Sequence, residues 1–184
     1  EDNEIVALKA DSITVYNMEK EVVSKTPFHV DWDVSSAEKG GYEHFMFKEI
    51  MEQPEAIRKT ISPRLKNGKI VLDDVSLSKE DLEKISKIVV LACGSAYHVG
   101  MNAKYILEKI ARIPVEVDLA SEFRYRDPII DESVLVLVIS QSGETADTLA
   151  ALREAKRLGA RVISIVNVVG SSIANDSDDV LYTW

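Results

Sequence analysis

From Lys87 onward, apolar runs recur at regular spacing along the chain. "KIVVLA" (87–92), "VEV" (115–117), "VLVLVI" (134–139), "VISIV" (162–166) and "VLYTW" (180–184) each read as a strand. The first, third and fourth are continuous rather than alternating, which marks strands covered on both faces of a parallel sheet. Helical patterns lie between them. Val99, Ala103, Ile106 and Ile110 fall at i, i+4, i+7 and i+11 with Leu107 alongside, giving one apolar stripe. Leu149, Ala151, Leu152, Ala155 and Leu158 share an arc opposite Arg153, Glu154, Lys156 and Arg157, and Gly159 stops that helix. Alternation of this kind predicts an α/β fold, a doubly wound five-stranded parallel sheet in a flavodoxin-like αβα sandwich with right-handed crossovers.

The first half is less regular. "EIVALK" (4–9) and "SITVY" (12–16) read as a β-hairpin, too small to be stable without further strands. Residues 17–42 are polar, contain Pro27 and include "SSAEKGG", the composition of a linker. A helix is predicted over 43–53 and a second from Pro54, since proline suits the first turn of a helix, with Pro63 ending it. "SKEDLEKIS" (78–86) is a short helix opened by Ser78, with acids in its first turn where the macrodipole favours them.

Composition narrows the function classes. With 22 Lys and Arg against 31 Asp and Glu, the formal net charge is −9. That balance argues against nucleic-acid and anionic-membrane partners, which are bound through basic patches. It leaves small anionic ligands open, since backbone dipoles can build a local site. Cys93 is the single cysteine, so no internal disulfide forms and a cytoplasmic setting fits. No stretch approaches a membrane span, and the N-terminus lacks signal-peptide character. The chain starts without Met and stops inside an apparent strand, and it reads as a fragment of something longer.

Ligands of open α/β sheets bind beyond the carboxyl ends of the strands, where strand order reverses. For a 2-1-3-4-5 order this lies between the first and third strands, whose following loops are "ACGSAYH" and "ISQSGETAD". The second holds Ser140, Gln141, Ser142 and Thr145 as hydroxyl and amide groups. Gly143 allows close backbone approach, and the helix that follows presents free N–H groups and the positive end of its dipole. The parts suit a phosphate monoester held by neutral donors. They also suit plain helix capping, with Ser142 or a neighbour as the cap. Glu144 is awkward beside an anion unless it turns to solvent. Other chemistries fail on spacing: neither G-x-x-x-x-G-K-[ST] nor G-x-G-x-x-G occurs, so Asp118 lacks the glycines of a dinucleotide site. Cys93 reads as a small core residue and His98 as a solvated one with a minor route to the site. His29 and His44 are not paired as metal ligands, and no metal or cofactor is implied.

"ISQSGETADTL", "ACGSAYH" and "NVVGSS" together resemble the sugar isomerase (SIS) family. With "YEHFMFKEIMEQPEAI" (42–57) and "LASEFRYRD" (119–127), the whole chain resembles the glutamine–fructose-6-phosphate aminotransferases. The resemblance implies an enzyme that makes glucosamine 6-phosphate from fructose 6-phosphate and glutamine. It divides this chain into the tail of a glutaminase domain (1–28), a linker (29–42) and a first SIS domain (43–184) cut short at its C-terminus. It further implies a homodimer through SIS domains. On the same ground Ser140, Gln141, Ser142 and Thr145 match the phosphate loop, and Ser95 matches a position that is usually threonine. Ala96 stands where the family has serine, and can contact ligand only through its backbone. The groups that transform the sugar lie in later sequence of the family, so no catalytic residue is assigned, and the fragment alone is expected to bind weakly or not at all and to be inactive. Two other readings fit an SIS domain: a stand-alone sugar-phosphate sensor controlling a partner, and a sugar-phosphate isomerase, which needs a general base near these loops.

Overall fold

The five apolar runs do form one sheet in a computed structural model, which describes residues 3–26 and 38–184. Two compact units divide the chain, one up to Glu49 and the other from Ile50. In the first, β1 (Ile5–Leu8) and β2 (Ile13–Tyr16) make the antiparallel hairpin, with Ile5 opposite Tyr16 and Leu8 opposite Ile13. A short β3 (Val22–Val23) joins β2 from within the polar stretch, where composition predicted no strand. His29, and the linker as far as residue 37, lie outside the described residues.

Helix α1 (Phe45–Ile61) runs straight through Pro54, where the sequence predicts one helix ending and another beginning. Proline removes one backbone donor and crowds the carbonyl of Ile50, yet the turns on both sides keep their own bonds. Pro63 then sits in a single 3-10 turn (Ser62–Arg64), and the helix ends before it. A small hairpin of β4 (Leu65–Lys66) and β5 (Lys69–Ile70) follows, turning at Asn67 and Gly68, both with positive φ. Helix α2 (Lys79–Lys84) opens with a capping box between Ser78 and Asp81.

The main sheet contains β6 (Lys87–Ala92), β7 (Val115–Leu119), β8 (Val134–Ser140), β9 (Arg161–Val166) and β10 (Asp179–Tyr182). Its order is β10-β9-β8-β6-β7 with every pair parallel, which is the expected 2-1-3-4-5 arrangement. Register places Ala92 beside Ile139 and Ser140 beside Val166, so the ends of β6 and β8 stand next to each other.

Both faces of the sheet are covered. Val89, Leu91, Val136, Val138 and Val162 pack against Phe123 of α4 (Ala120–Phe123) and Ala151, Leu152 and Ala155 of α5 (Ala146–Arg157). On the other face Ile88, Val90, Val115, Leu135 and Ile163 meet Leu77, Ile85 and Leu107, the last from α3 (Gly94–Ala111). Fully buried side chains such as Phe123, Leu91 and Leu152 each stabilise the fold by roughly 1.5–3 kcal/mol.

The apolar stripe of α3 faces the sheet only in part: Leu107 packs on it and Ala103 is half-buried. Val99, Ile106 and Ile110 are 56%, 59% and 77% exposed. The closest approach is made at Gly100, where an added Cβ would lie 2.9 Å from Val90 Cγ1 and 3.1 Å from Val117 Cγ1. Glycine lets the helix backbone settle onto β6 and β7, and Val99, Ile106 and Ile110 are left outside. At the opposite end of the sheet from the β6 and β8 loops, buried Asp179 accepts from the Ser76 N–H and hydroxyl, each at 2.8 Å, and pairs with Arg161. Among the described residues no helix is long and apolar enough to cross a membrane.

Candidate functional site

Beyond the carboxyl ends of β6 and β8 lies a cleft of about 290 Å³. Its lining includes Cys93, Gly94, Ser95 and Ala96 on one side, and Ser140, Gln141, Ser142, Thr145 and Thr148 on the other. The chain thus brings all six residues singled out in its sequence (Ser95, Ala96, Ser140, Gln141, Ser142 and Thr145) to one cavity. No lining residue carries a formal charge at neutral pH.

Two helices begin at the cleft. Cys93 is the N-cap of α3 and Thr145 that of α5, and neither start has a side-chain cap. The first N–H groups of each helix therefore lack an acceptor within the helix and stay available at its positive end. This corrects the capping expectation for Ser142, whose Oγ accepts from the Glu144 N–H at 3.2 Å, inside the loop itself. Ser140, 5% exposed, is also an organiser: its Oγ accepts from the Gly143 N–H at 3.1 Å and lies 3.4 Å from Thr145 Oγ1. Gln141 and Ser142 are exposed, Thr145 and Ala96 half-buried, so the cradle is open to solvent.

Gly143 has φ +68°, a left-handed conformation that favours glycine, and its Cα is pressed against Ser171. A Cβ there would lie 2.0 Å from Ser171 Oγ and 2.5 Å from Ser171 Cβ. The glycine therefore serves a close approach within the chain, where the sequence suggested a close approach to ligand. Ser171 is buried and its hydroxyl has no hydrogen-bond partner. It is the N-cap of α6 (Ser172–Asp176).

Glu144 is exposed to solvent and lies outside the cleft lining, with its carboxylate engaged. Its Oε1 accepts from the Ser172 backbone N–H at 2.7 Å. That bond, with one from the Ser172 side chain, holds the carboxyl below its ordinary pKa. The loop makes further bonds to the same segment: Gln141 O accepts from Asn167 N–H at 3.2 Å, Gln141 Nε2 donates to Asn167 Oδ1 at 3.3 Å, and Gly143 O accepts from Ile173 N–H at 2.9 Å.

Sequence reasoning missed Thr148, and it placed Cys93 only in the core. Thr148 is 1% exposed, lines the cleft floor and donates to Cys93 Sγ at 3.6 Å. It sits three residues after the N-cap, and counting forward from Thr145 would have found it. Cys93 packs on the core with one side and lines the cleft with the other. His98 is exposed and takes no part in the lining. Asp118 is engaged by Arg126.

The family model of the SIS domain matches residues 81–184. The chain is 60% identical over 184 residues to a glutamine–fructose-6-phosphate aminotransferase (isomerizing) of Clostridium acetobutylicum, covering 100% of this chain and 30% of that protein. It is 60% identical over 185 residues, with the same coverage, to the enzyme of that name from Caldanaerobacter subterraneus subsp. tengcongensis. Among solved structures it is similar to the C-terminal domain of glucosamine-fructose-6-phosphate aminotransferase from Francisella tularensis, with a TM-score of 0.73 and 47% identity over 79% of this chain and 41% of that one. The chain thus spans about 30% of the length of the curated relatives it matches.

Proposed function

The chain belongs to the SIS domain family, and on that premise we propose that its cleft holds the phosphate of fructose 6-phosphate within an enzyme making glucosamine 6-phosphate and glutamate from that sugar and glutamine. The observation that carries this reading is the meeting of two uncapped helix starts with hydroxyl and amide side chains in one cleft without charge. Phosphate oxygens accept from the free N–H groups at the starts of α3 and α5. Ser142, Thr145 and Ser95 add hydroxyl donors, Gln141 an amide donor, and Ala96 its backbone N–H. Ser140 keeps the loop in shape. Without a lysine or arginine the cradle gives up full charge neutralisation, which suits a metabolite that must leave after each turnover.

In this reading residues 1–28 close a glutaminase domain, 29–42 link it onward, and 43–184 form a sugar-phosphate-binding SIS domain that pairs in a cytoplasmic homodimer. The part played by this chain is to position the sugar. The relatives named for the aminotransferase match along the whole of it, including the segments before the SIS domain, which favours the enzyme over a stand-alone sensor.

Titration of the chain with fructose 6-phosphate, followed by backbone amide NMR, tests the assignment. Saturable shifts at Ser95, Ala96 and Ser140 to Thr145 are expected at millimolar ligand. If those amides stay still while others move, the site is elsewhere.

A further inference from the structure

Glu144 belongs to the loop that forms one wall of the cleft but does not line it, although a carboxylate there would oppose an anion. Its geometry gives it a use. Glu144 is tied at both ends: its N–H donates to Ser142 Oγ at 3.2 Å, and its Oε1 accepts from the Ser172 N–H at 2.7 Å. One end fixes a ligand-facing hydroxyl, and the other grips the segment after β9. The other bonds from the loop to that segment come from the main chain of Gln141 and Gly143 or from the neutral Gln141 amide. Glu144 supplies the charged one, and hydrogen bonds to charged groups are the stronger class.

Ser171 strengthens the same junction by filling the space a side chain at Gly143 would take. The loop is therefore pressed and hydrogen-bonded onto Asn167–Ile173 from Gln141 to Glu144. We propose that Glu144 is a positioning residue for sugar-phosphate binding, acting through its tether to the Ser172 N–H to fix the loop and to hold its own charge off the ligand. The proposal rests on the phosphate reading of the cleft.

Three variants of the full chain separate this role from simple electrostatics. Glu144→Ala removes both tether and charge. Glu144→Gln removes the charge and keeps an oxygen that can accept from Ser172. Ser172→Pro removes the donor and leaves the charge untethered. Proline is tolerated at the first position of a helix, and Ser171 before it has φ −64° and ψ 161°, which a following proline accepts.

Fructose 6-phosphate affinity is measured by calorimetry, with amide spectra confirming that each variant is folded. Loss of one hydrogen bond to a charged group predicts roughly tenfold weaker binding in Glu144→Ala. Glu144→Gln is rescued to within about threefold of the parent, as a neutral acceptor allows. Ser172→Pro weakens at least as much as Glu144→Ala, and the double variant Glu144→Ala/Ser172→Pro is no worse than the poorer single one, the mark of one shared interaction. Equal or tighter binding in Glu144→Ala overturns the proposal, because a carboxylate acting only by repulsion would do that. Equal weakening in Glu144→Gln and Glu144→Ala overturns it as well. A parent chain in which the sugar shifts amides elsewhere but leaves 95–96 and 140–145 still refutes the phosphate reading, and this inference with it. A parent that binds while Glu144→Ala is unaffected refutes the inference alone.

Discussion

Replacing Gly143 with alanine tests the loop's architecture in two separable parts. At φ +68° an alanine incurs left-handed strain of about 1–2 kcal/mol. Its Cβ would also fall 2.0 Å from Ser171 Oγ and 2.5 Å from Ser171 Cβ, far inside any real contact. Overpacking of this sort costs about 1–3 kcal/mol. Together the terms predict a loss of about 2–5 kcal/mol, a large share of the stability of an ordinary domain. Ser171→Gly clears the obstructing atoms and should itself cost only a few tenths of a kcal/mol, because glycine is a fair N-cap and the serine hydroxyl makes no bond there. The double variant Gly143→Ala/Ser171→Gly should therefore recover the clash and keep the strain, ending about 1–2 kcal/mol below the parent. Urea unfolding midpoints at unchanged slope measure each term. The reasoning is refuted if Gly143→Ala unfolds at the parent's midpoint, or if Ser171→Gly restores none of the loss.

Three further outcomes are expected. Thr145→Val keeps shape while removing a hydroxyl from the cleft, and under the proposed phosphate role it should weaken fructose 6-phosphate binding about tenfold or more with little change in melting temperature, read by calorimetry. Gly100→Val should destabilise by about 1–3 kcal/mol, since its side chain meets Val90 and Val117 beneath α3, as thermal unfolding will show. Burial raises the pKa of Asp179, but hydrogen bonds from Ser76 and Arg161 outweigh that and leave it lowered. Its contribution is thus present above the ordinary carboxylate range and lost as pH falls through the folded-state value. Asp179→Asn should cost about 2–3 kcal/mol at neutral pH and flatten the acid side of the stability profile.

The sheet was legible because continuous apolar runs have one economical reading, and the serines at the strand ends then marked the cleft. The misses share a different cause. Val99, Ile106 and Ile110 have the spacing of a core stripe, but the close contact is made by Gly100, a residue without a side chain and so invisible to a hydrophobic pattern. Pro54 carries a strong local signal for a helix start, yet the turns around it were strong enough to continue. The strands flanking Asn67-Gly68 are two residues each, too short to show alternation. Glu144 could be flagged as anomalous from the sequence, but its partner Ser172 is set by the alignment of β8 beside β9, which local pattern does not encode.

Strand order also bears on how the site is made during synthesis. β7 pairs with one edge of β6, β8 with the other, and β9 and β10 lie outward in turn, so the sheet grows away from β6 in chain order after β7. The two walls of the cleft, 93–96 and 140–145, both precede Asn167 to Ile173 in the chain and so leave the ribosome before them. At typical translation speeds that interval is about 1–5 s. A nascent chain halted before Asn167 would thus carry the residues of both walls without the segment that anchors their loop.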